Sequence, residues 1–322
     1  MQQTTLLQKP AAAAVFAGDP LLAELLRGLR ARNKRLPPKY FYDARGSALF
    51  EEITRLPEYY LTRTERSIMN AHVGEMAAAV GARACMIEPG SGSGEKAEQL
   101  LAALEDPVAF VPVEVASAHL AASVRRLRQR FPQVEVLPVD ADFMRRWILP
   151  RPRRTPERCF VFFPGSTIGN LAPADAARLL ASLRRHASLA LIGVDLRKPE
   201  SVLVPAYDDS RGVTARFNLN MLRRLNREYG ADFSLRRFRH RAHWDGASGR
   251  MRMFLESTCE QQVRVAGCSL SFERGELIHT EDSWKHTPER FAEIAGQGGW
   301  DVAKLWMDER EWFGVYLLRR GV

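Results

Sequence analysis

Between residues 84 and 196 the chain alternates five short apolar runs, ACMIEPG, VAFVPVEV, VEVLPVD, CFVFFPG and LALIGVDL, with helical segments. Each run has strand length and ends in glycine or a polar residue. Three of the intervening segments, EKAEQLLAAL, ASAHLAASVRRLRQRF and PADAARLLASLRRH, carry apolar residues at helical spacing. Such alternation leaves few architectures. Strands that are apolar throughout must be covered on both faces, which predicts a parallel, doubly wound α/β sheet.

The flanks follow other rhythms. PLLAELLRGLRA (residues 20–31) and residues 62–80 read as helices, separated by an extended entry at Pro37-Pro38. After Lys198 comes one helix, FNLNMLRRLNREYG. Then FSLRRFRHRAHWD, RMRMFLESTCEQQVRV and SLSFERGELIHTED alternate like antiparallel strands. Residues 287–297 return to helix, and WDVAKLWMDER and EWFGVYLLRR read as two closing strands. The predicted division is therefore residues 1–196 as the first part of an α/β domain, 197–286 as an inserted α+β lobe, and 287–322 as the closing helix and strands.

With 322 residues and 46% apolar content, the chain can bury a large core. No apolar run approaches the roughly 18 residues of a membrane span. Residues 11–16, after Lys9, are too short for the apolar region of a secretory signal, so a cytoplasmic setting is expected. Cys85, Cys159, Cys259 and Cys268 form no C-x-x-C pair and are expected as small buried hydrophobes rather than zinc ligands. The net charge is +9, with 40 arginines to seven lysines. The arginines are scattered, and the densest group, residues 151–158, is broken by two prolines. This favours a solvated surface over a nucleic-acid footprint. His240 and His243 have no further ligands clustered with them, so no metal is expected.

The chemistry concentrates at the first strand-to-helix turn, Glu88-Pro89-Gly90-Ser91-Gly92-Ser93-Gly94-Glu95-Lys96. Its glycines allow positive φ and close approach to a ligand, and the helix behind them offers free N–H groups. A phosphate-binding P-loop fails because Glu95 precedes Lys96, and a dinucleotide fingerprint fails because Glu95 occupies its third glycine position. The remaining reading is the looser turn of methyltransferases, in which an acid at the start suits a positively charged cofactor. Glu114 ends the second strand, where nucleoside-binding folds place an acid on ribose hydroxyls. Asp142-Phe143 follows the third strand, where an adenine ring can stack on the aromatic; a helix cap is the competing role for Asp142. The fourth strand ends in FPGSTIGNL rather than the Asn/Asp-Pro-Pro-Tyr type motif of many DNA-base methyltransferases, which argues against that substrate.

These motifs, with FYDARGSALFEEITRLPEYYLTRTE, EPGSGSGEK, GSTIGNL, AYDDSRGVTARFNLNMLRRLNRE and TEDS, closely resemble the histidine-specific Nα-methyltransferases of ergothioneine biosynthesis. The likeness runs from about residue 36 to the end. It implies a Rossmann-like class I methyltransferase fold with an inserted substrate-binding lobe. It also implies three methyl transfers from S-adenosylmethionine to histidine, giving hercynine and S-adenosylhomocysteine. Carried over position by position, Tyr42 and Asn170 hold the reacting amine. Tyr59 and Gly165 line the pocket, Tyr207 binds the carboxylate, Met253 packs by the imidazole, and Glu281 and Ser283 bond its nitrogens. Gly90, Lys96, Glu114, Asp142 and Phe143 fall on the family's cofactor positions, and Glu88 and Gly92 of the same glycine turn are read with them as cofactor-binding. Pro89 stands where leucine is common, and Ala116 where a second acid is frequent. The partners implied are histidine and its mono- and dimethylated forms, with no nucleic acid, membrane or obligate protein partner. Two other readings remain open: an enzyme for another aromatic amino acid, which an apolar residue in place of Glu281 would favour, and an RNA-associated module using the basic surface.

Overall fold

The computed structural model describes residues 19–92, 94–115 and 118–321. The apolar stretch at residues 11–16 and the Ala116 departure lie outside the described residues. In chain order the first elements are α1 (Pro20–Arg30), β1 (Lys34–Arg35), α2 (Ala44–Ile53), α3 (Tyr60–Val80), β2 (Ala84–Pro89), α4 (Glu95–Ala103), β3 (Ala109–Glu114) and α5 (Ala118–Arg130). There follow β4 (Glu135–Val136), β5 (Val139–Asp140), β6 (Arg158–Phe163), α6 (Pro173–Leu183), β7 (Leu189–Asp195), α7 (Glu200–Tyr207) and α8 (Val213–Tyr229). The last are β8 (Phe238–Asp245), β9 (Arg250–Ser257), β10 (Gln261–Val265), β11 (Cys268–Phe272), β12 (Leu277–Trp284), α9 (Pro288–Gln297), β13 (Trp300–Met307) and β14 (Phe313–Arg320).

Two compact units emerge. One consists of the described residues up to Tyr59 with Pro199–Asp282, the other of Tyr60–Lys198 with the residues from Ser283 onward. This differs from the sequence-based division at residues 196, 197, 286 and 287 in where the N-terminal segment goes. Phe41 stacks on Phe217 of α8 at 4.5 Å, and Lys34 and Arg35 pair with Ile278 and His279 of β12. These contacts tie the first helices to the later lobe.

The second unit holds the sheet in the order β13-β14-β7-β6-β2-β3-β4, with β5 also paired to β3. The pairings from β7 to β4 and β5 are parallel, whereas β14 runs antiparallel to β7, and β13 to β14. The third apolar run thus forms two short strands, because Pro138 between them has no N–H to donate. Period-two alternation sends Met86, Phe110, Phe160, Phe162 and Leu191 to one face, packed against α3, α4 and α5. Cys85, Ile87, Val111, Val161, Phe163 and Ile192 line the other, against α6 and α9. At about 25 cal/mol per Å² of apolar surface, double-sided burial is what holds such strands together. Cys85 is buried, and the other three cysteines are partly exposed free thiols. No described helix is long and apolar enough to cross a membrane.

The first unit carries a four-stranded sheet, β1-β12-β9-β8, and a separate β10-β11 hairpin. Two aspartates from the long motifs start its helices. Asp43 caps α2, accepting from the Gly46 N–H at 2.7 Å. Asp209 accepts from the Val213 and Thr214 N–H groups at 2.9 and 2.7 Å at the head of α8.

Candidate active site

In the second unit the cofactor candidates gather at the carboxyl ends of β2, β3 and β5, as an open α/β sheet requires of a ligand site. Gly90, Gly92 and Gly94 all have positive φ, of 67°, 49° and 71°. A Cβ on Gly90 would sit 3.3 Å from the Phe143 ring, so the turn and this aromatic lie against each other. Glu88 is 2% exposed, and its Oε2 has no hydrogen-bond partner. Burial pushes its carboxyl well above the usual range; the Lys96 charge opposes this, while Glu114 and Glu65 add to it. A buried acid with an orphaned oxygen under a glycine turn fits a ligand that brings positive charge, such as S-adenosylmethionine. Glu114 is also raised by burial, although it accepts from the Val115 and Gly92 N–H groups. Asp142 is exposed, accepting from the Met144 N–H at 2.9 Å and pairing with Arg145. Its competing role is therefore a turn, not a helix cap.

Beyond β6, Gly165 and Ser166 both take left-handed backbone (φ 77° and 56°) before a tight turn at Thr167–Asn170. Asn170 is exposed at its end. Ser283 lies in a buried polar cluster of the same unit. Asp195, the last residue of β7, accepts from Tyr60 Oη at 2.7 Å and from the Nζ atoms of Lys198 and Lys285, each at 2.6 Å. Lys285 Nζ donates in turn to Ser283 Oγ at 2.8 Å. Burial lowers Lys198 to about 8 against the pull of Asp195. Burial also opposes the Asp195 charge, but the two ammonium groups prevail and hold its carboxyl below the ordinary range.

The remaining substrate candidates belong to the first unit. Tyr42 and Tyr59 both meet the ring of Phe50 edge-on, at 5.8 and 6.3 Å, so the structure brings them together. Tyr207 is buried at the end of α7, and its carbonyl accepts from His240 Nε2 at 2.8 Å. Asn218 Nδ2 donates to His240 Nδ1 at 2.8 Å, which fixes the neutral tautomer. Burial lowers the imidazole further, against the bond to Tyr207. His240 is thus a half-buried, hydrogen-bonded residue of β8, and His243 is exposed. Among the described residues no group of three or more His, Cys, Asp or Glu is placed to hold a metal. Met253 on β9 and Glu281 on the neighbouring β12 are 3% and 8% exposed.

Sequence reasoning passed over Glu65, Asp195, Lys198 and Lys285. Glu65 is 1% exposed and bonds both Lys96 and the Gly165 N–H. It stood inside a quoted motif, but nothing local marks a helical glutamate as buried. The other three lie around the LALIGVDL strand and the segment after TEDS, where a charged residue reads as solvated.

Over residues 21–320 the chain matches the family described as histidine-specific methyltransferase, SAM-dependent. It is 40% identical over 316 residues to the Histidine N-alpha-methyltransferase of Mycolicibacterium smegmatis, covering 96% of this chain and 97% of that protein. Identity to the Mycobacterium tuberculosis protein of the same name is 41% over 306 residues, covering 92% and 94%. At 28% over 301 residues it resembles Ergothioneine biosynthesis protein 1 of Schizosaccharomyces pombe, covering 89% of this chain and 39% of that one.

Proposed function

This chain belongs to the family of S-adenosylmethionine-dependent, histidine-specific methyltransferases, and from that premise we propose that it places three methyl groups on the α-amino nitrogen of L-histidine, giving hercynine as a step of ergothioneine biosynthesis. The observation that carries this reading is the match to the histidine-specific family over residues 21–320, with 40% identity to a Histidine N-alpha-methyltransferase across 96% of this chain. Glu281, 8% exposed on β12, is the acid this reading assigns to an imidazole N–H.

Bound at the glycine turn, S-adenosylmethionine supplies an electrophilic methyl group on a sulfonium. The chain's own residues do the rest. Glu88 meets the positive charge, Glu114 accepts from ribose hydroxyls, Phe143 offers a face to the base with Asp142 beside it, and Gly90, Gly92 and Lys96 shape the turn. Tyr42 and Asn170 would hold the amine so that its lone pair faces the methyl group to be transferred. Orientation of this kind supplies most of the acceleration in an in-line displacement. Each transfer needs a neutral amine, so three protons leave in all, accepted first as hydrogen bonds by these groups and passed to water. Tyr207 binds the substrate carboxylate, Tyr59 and Gly165 hold the amino-acid end, and Met253 packs on the ring. Glu281 and Ser283 pair with its two nitrogens. The reading needs no nucleic acid, membrane or obligate protein partner. Its setting is cytoplasmic, in keeping with four free thiols.

The test is to incubate the purified protein with S-adenosylmethionine and each of the twenty amino acids, then weigh the products. Histidine gaining one, two and finally three methyl groups is expected. Methylated tryptophan with unaltered histidine would contradict the assignment.

A further inference from the structure

We propose that Glu65 is a positioning residue that sets the cofactor turn and the Gly165 loop in register, with one carboxylate oxygen on each. The proposal rests on the roles given above to these two segments. Glu65 lies on α3, and nothing in the methyl transfer requires it to touch a ligand. Its Oε2 pairs with Nζ of Lys96 in the first turn of α4, and its Oε1 accepts from the Gly165 N–H at 2.7 Å. The sheet makes room for it: a Cβ on Gly193, within β7, would overlap Oε1. The glycine inside an otherwise apolar strand is thus the counterpart of this buried acid.

A carboxylate suits the place because it offers two acceptor oxygens, one able to pair with a cation and the other with an N–H. Its hold on Lys96 also bears on Glu88, whose Oε2 has no partner. With its ammonium engaged by Glu65, Lys96 leaves that oxygen for a ligand's cationic group, which S-adenosylhomocysteine retains as its α-ammonium. Released, Lys96 can turn to Glu88 and neutralise the acceptor. Because the same carboxylate holds Gly165, ordering one segment orders the other, and the affinities for cofactor and substrate become linked.

Glu65→Gln separates the two contacts. Its amide oxygen still accepts from Gly165, while its NH2 cannot pair with Lys96. Full-length protein, Glu65→Gln and Glu65→Ala are titrated with S-adenosylhomocysteine, with and without saturating histidine, and assayed for methyl transfer. Glu65→Gln is expected to bind S-adenosylhomocysteine about tenfold more weakly, with the KM for histidine at saturating S-adenosylmethionine within about twofold. Glu65→Ala raises both. The factor by which histidine tightens S-adenosylhomocysteine in the unaltered protein falls toward one in both variants. Equal impairment of the Gln and Ala variants, or unchanged affinity in Glu65→Gln, overturns the proposal. If Glu65→Ala does not fold, Lys96→Met takes its place: the double variant with Glu65→Gln should bind no more weakly than the weaker single one, and additive losses overturn the proposal. Failure of the underlying functional reading shows separately, as no S-adenosylhomocysteine binding by the unaltered protein, and overturns both.

Discussion

Glu88 concentrates the electrostatics of the glycine turn in one side chain. Burial keeps its carboxyl protonated to higher pH than an ordinary glutamate, and its free oxygen gives no local relief. A cationic ligand stabilises the ionised form, so binding must drive the proton off. The group's pKa is raised in the free protein, and a bound cation lowers it. Affinity for S-adenosylmethionine therefore rises with pH until the free group is ionised, and binding releases a proton below that point. Calorimetric titration in two buffers of different ionisation enthalpy measures this. Proton release is expected in the unaltered protein and not in Glu88→Gln; proton uptake, or equal heats in both buffers across the pH range, would contradict the assignment. Glu88 was legible in the sequence because it opens a glycine turn. Glu65 was not, because its partners lie 31 and 100 residues away.

Among the elements, α2 shows how a motif residue can serve the fold. Asp43, from FYDARGS, caps this helix and also accepts from Asn220 Nδ2 at 2.8 Å and Arg227 at 2.8 Å on α8. Burial alone would raise its carboxyl. The Gly46 N–H, Arg227 and Asn220 together outweigh burial and hold it below the usual range. Such a group stabilises the fold above its unfolded pKa of about 3.9, and this contribution is lost as pH falls through the lower folded value. Asp43→Ala should cost about 1–2 kcal/mol at neutral pH in urea titrations, a difference that shrinks at acid pH. A variant as stable as the parent at pH 7 would contradict the role. The strands of the central sheet were legible because both of their faces are apolar, and the helices because their apolar residues recur at helical spacing. The split at Pro138 and the antiparallel β14 were not. Strand direction depends on which neighbour a strand finds, and residues 311–320 carry no mark of it.

At the scale of the whole molecule, the N-terminal segment was the least legible part. Stacking of Phe41 on Phe217 and the two-residue pairing of β1 with β12 join stretches far apart in the chain, and neither leaves a local pattern. The basic excess resolves more simply. Within the first unit Arg239 and Arg241 pair with Glu256, and Arg250 and Arg252 with Asp282. Within the second, Arg126 pairs with Glu98. In each of these pairs the carboxylate is more buried than its arginine, so the pair keeps a partly buried acid matched by a charge nearer the surface. The proposed substrate residues could be named from motifs, yet their environments could not. Ser283 hydrogen-bonded to a buried lysine, and Tyr207 fixed by a neutral His240, are products of tertiary packing.

The central claim is that one nitrogen of free histidine receives every methyl group. Its most direct test is a reaction run to completion with excess S-adenosylmethionine, counting S-adenosylhomocysteine per histidine consumed and locating the methyl groups by proton NMR. The account predicts three equivalents and a single trimethylammonium resonance on the α-nitrogen. A single equivalent, or a methyl group on the imidazole ring, would contradict it.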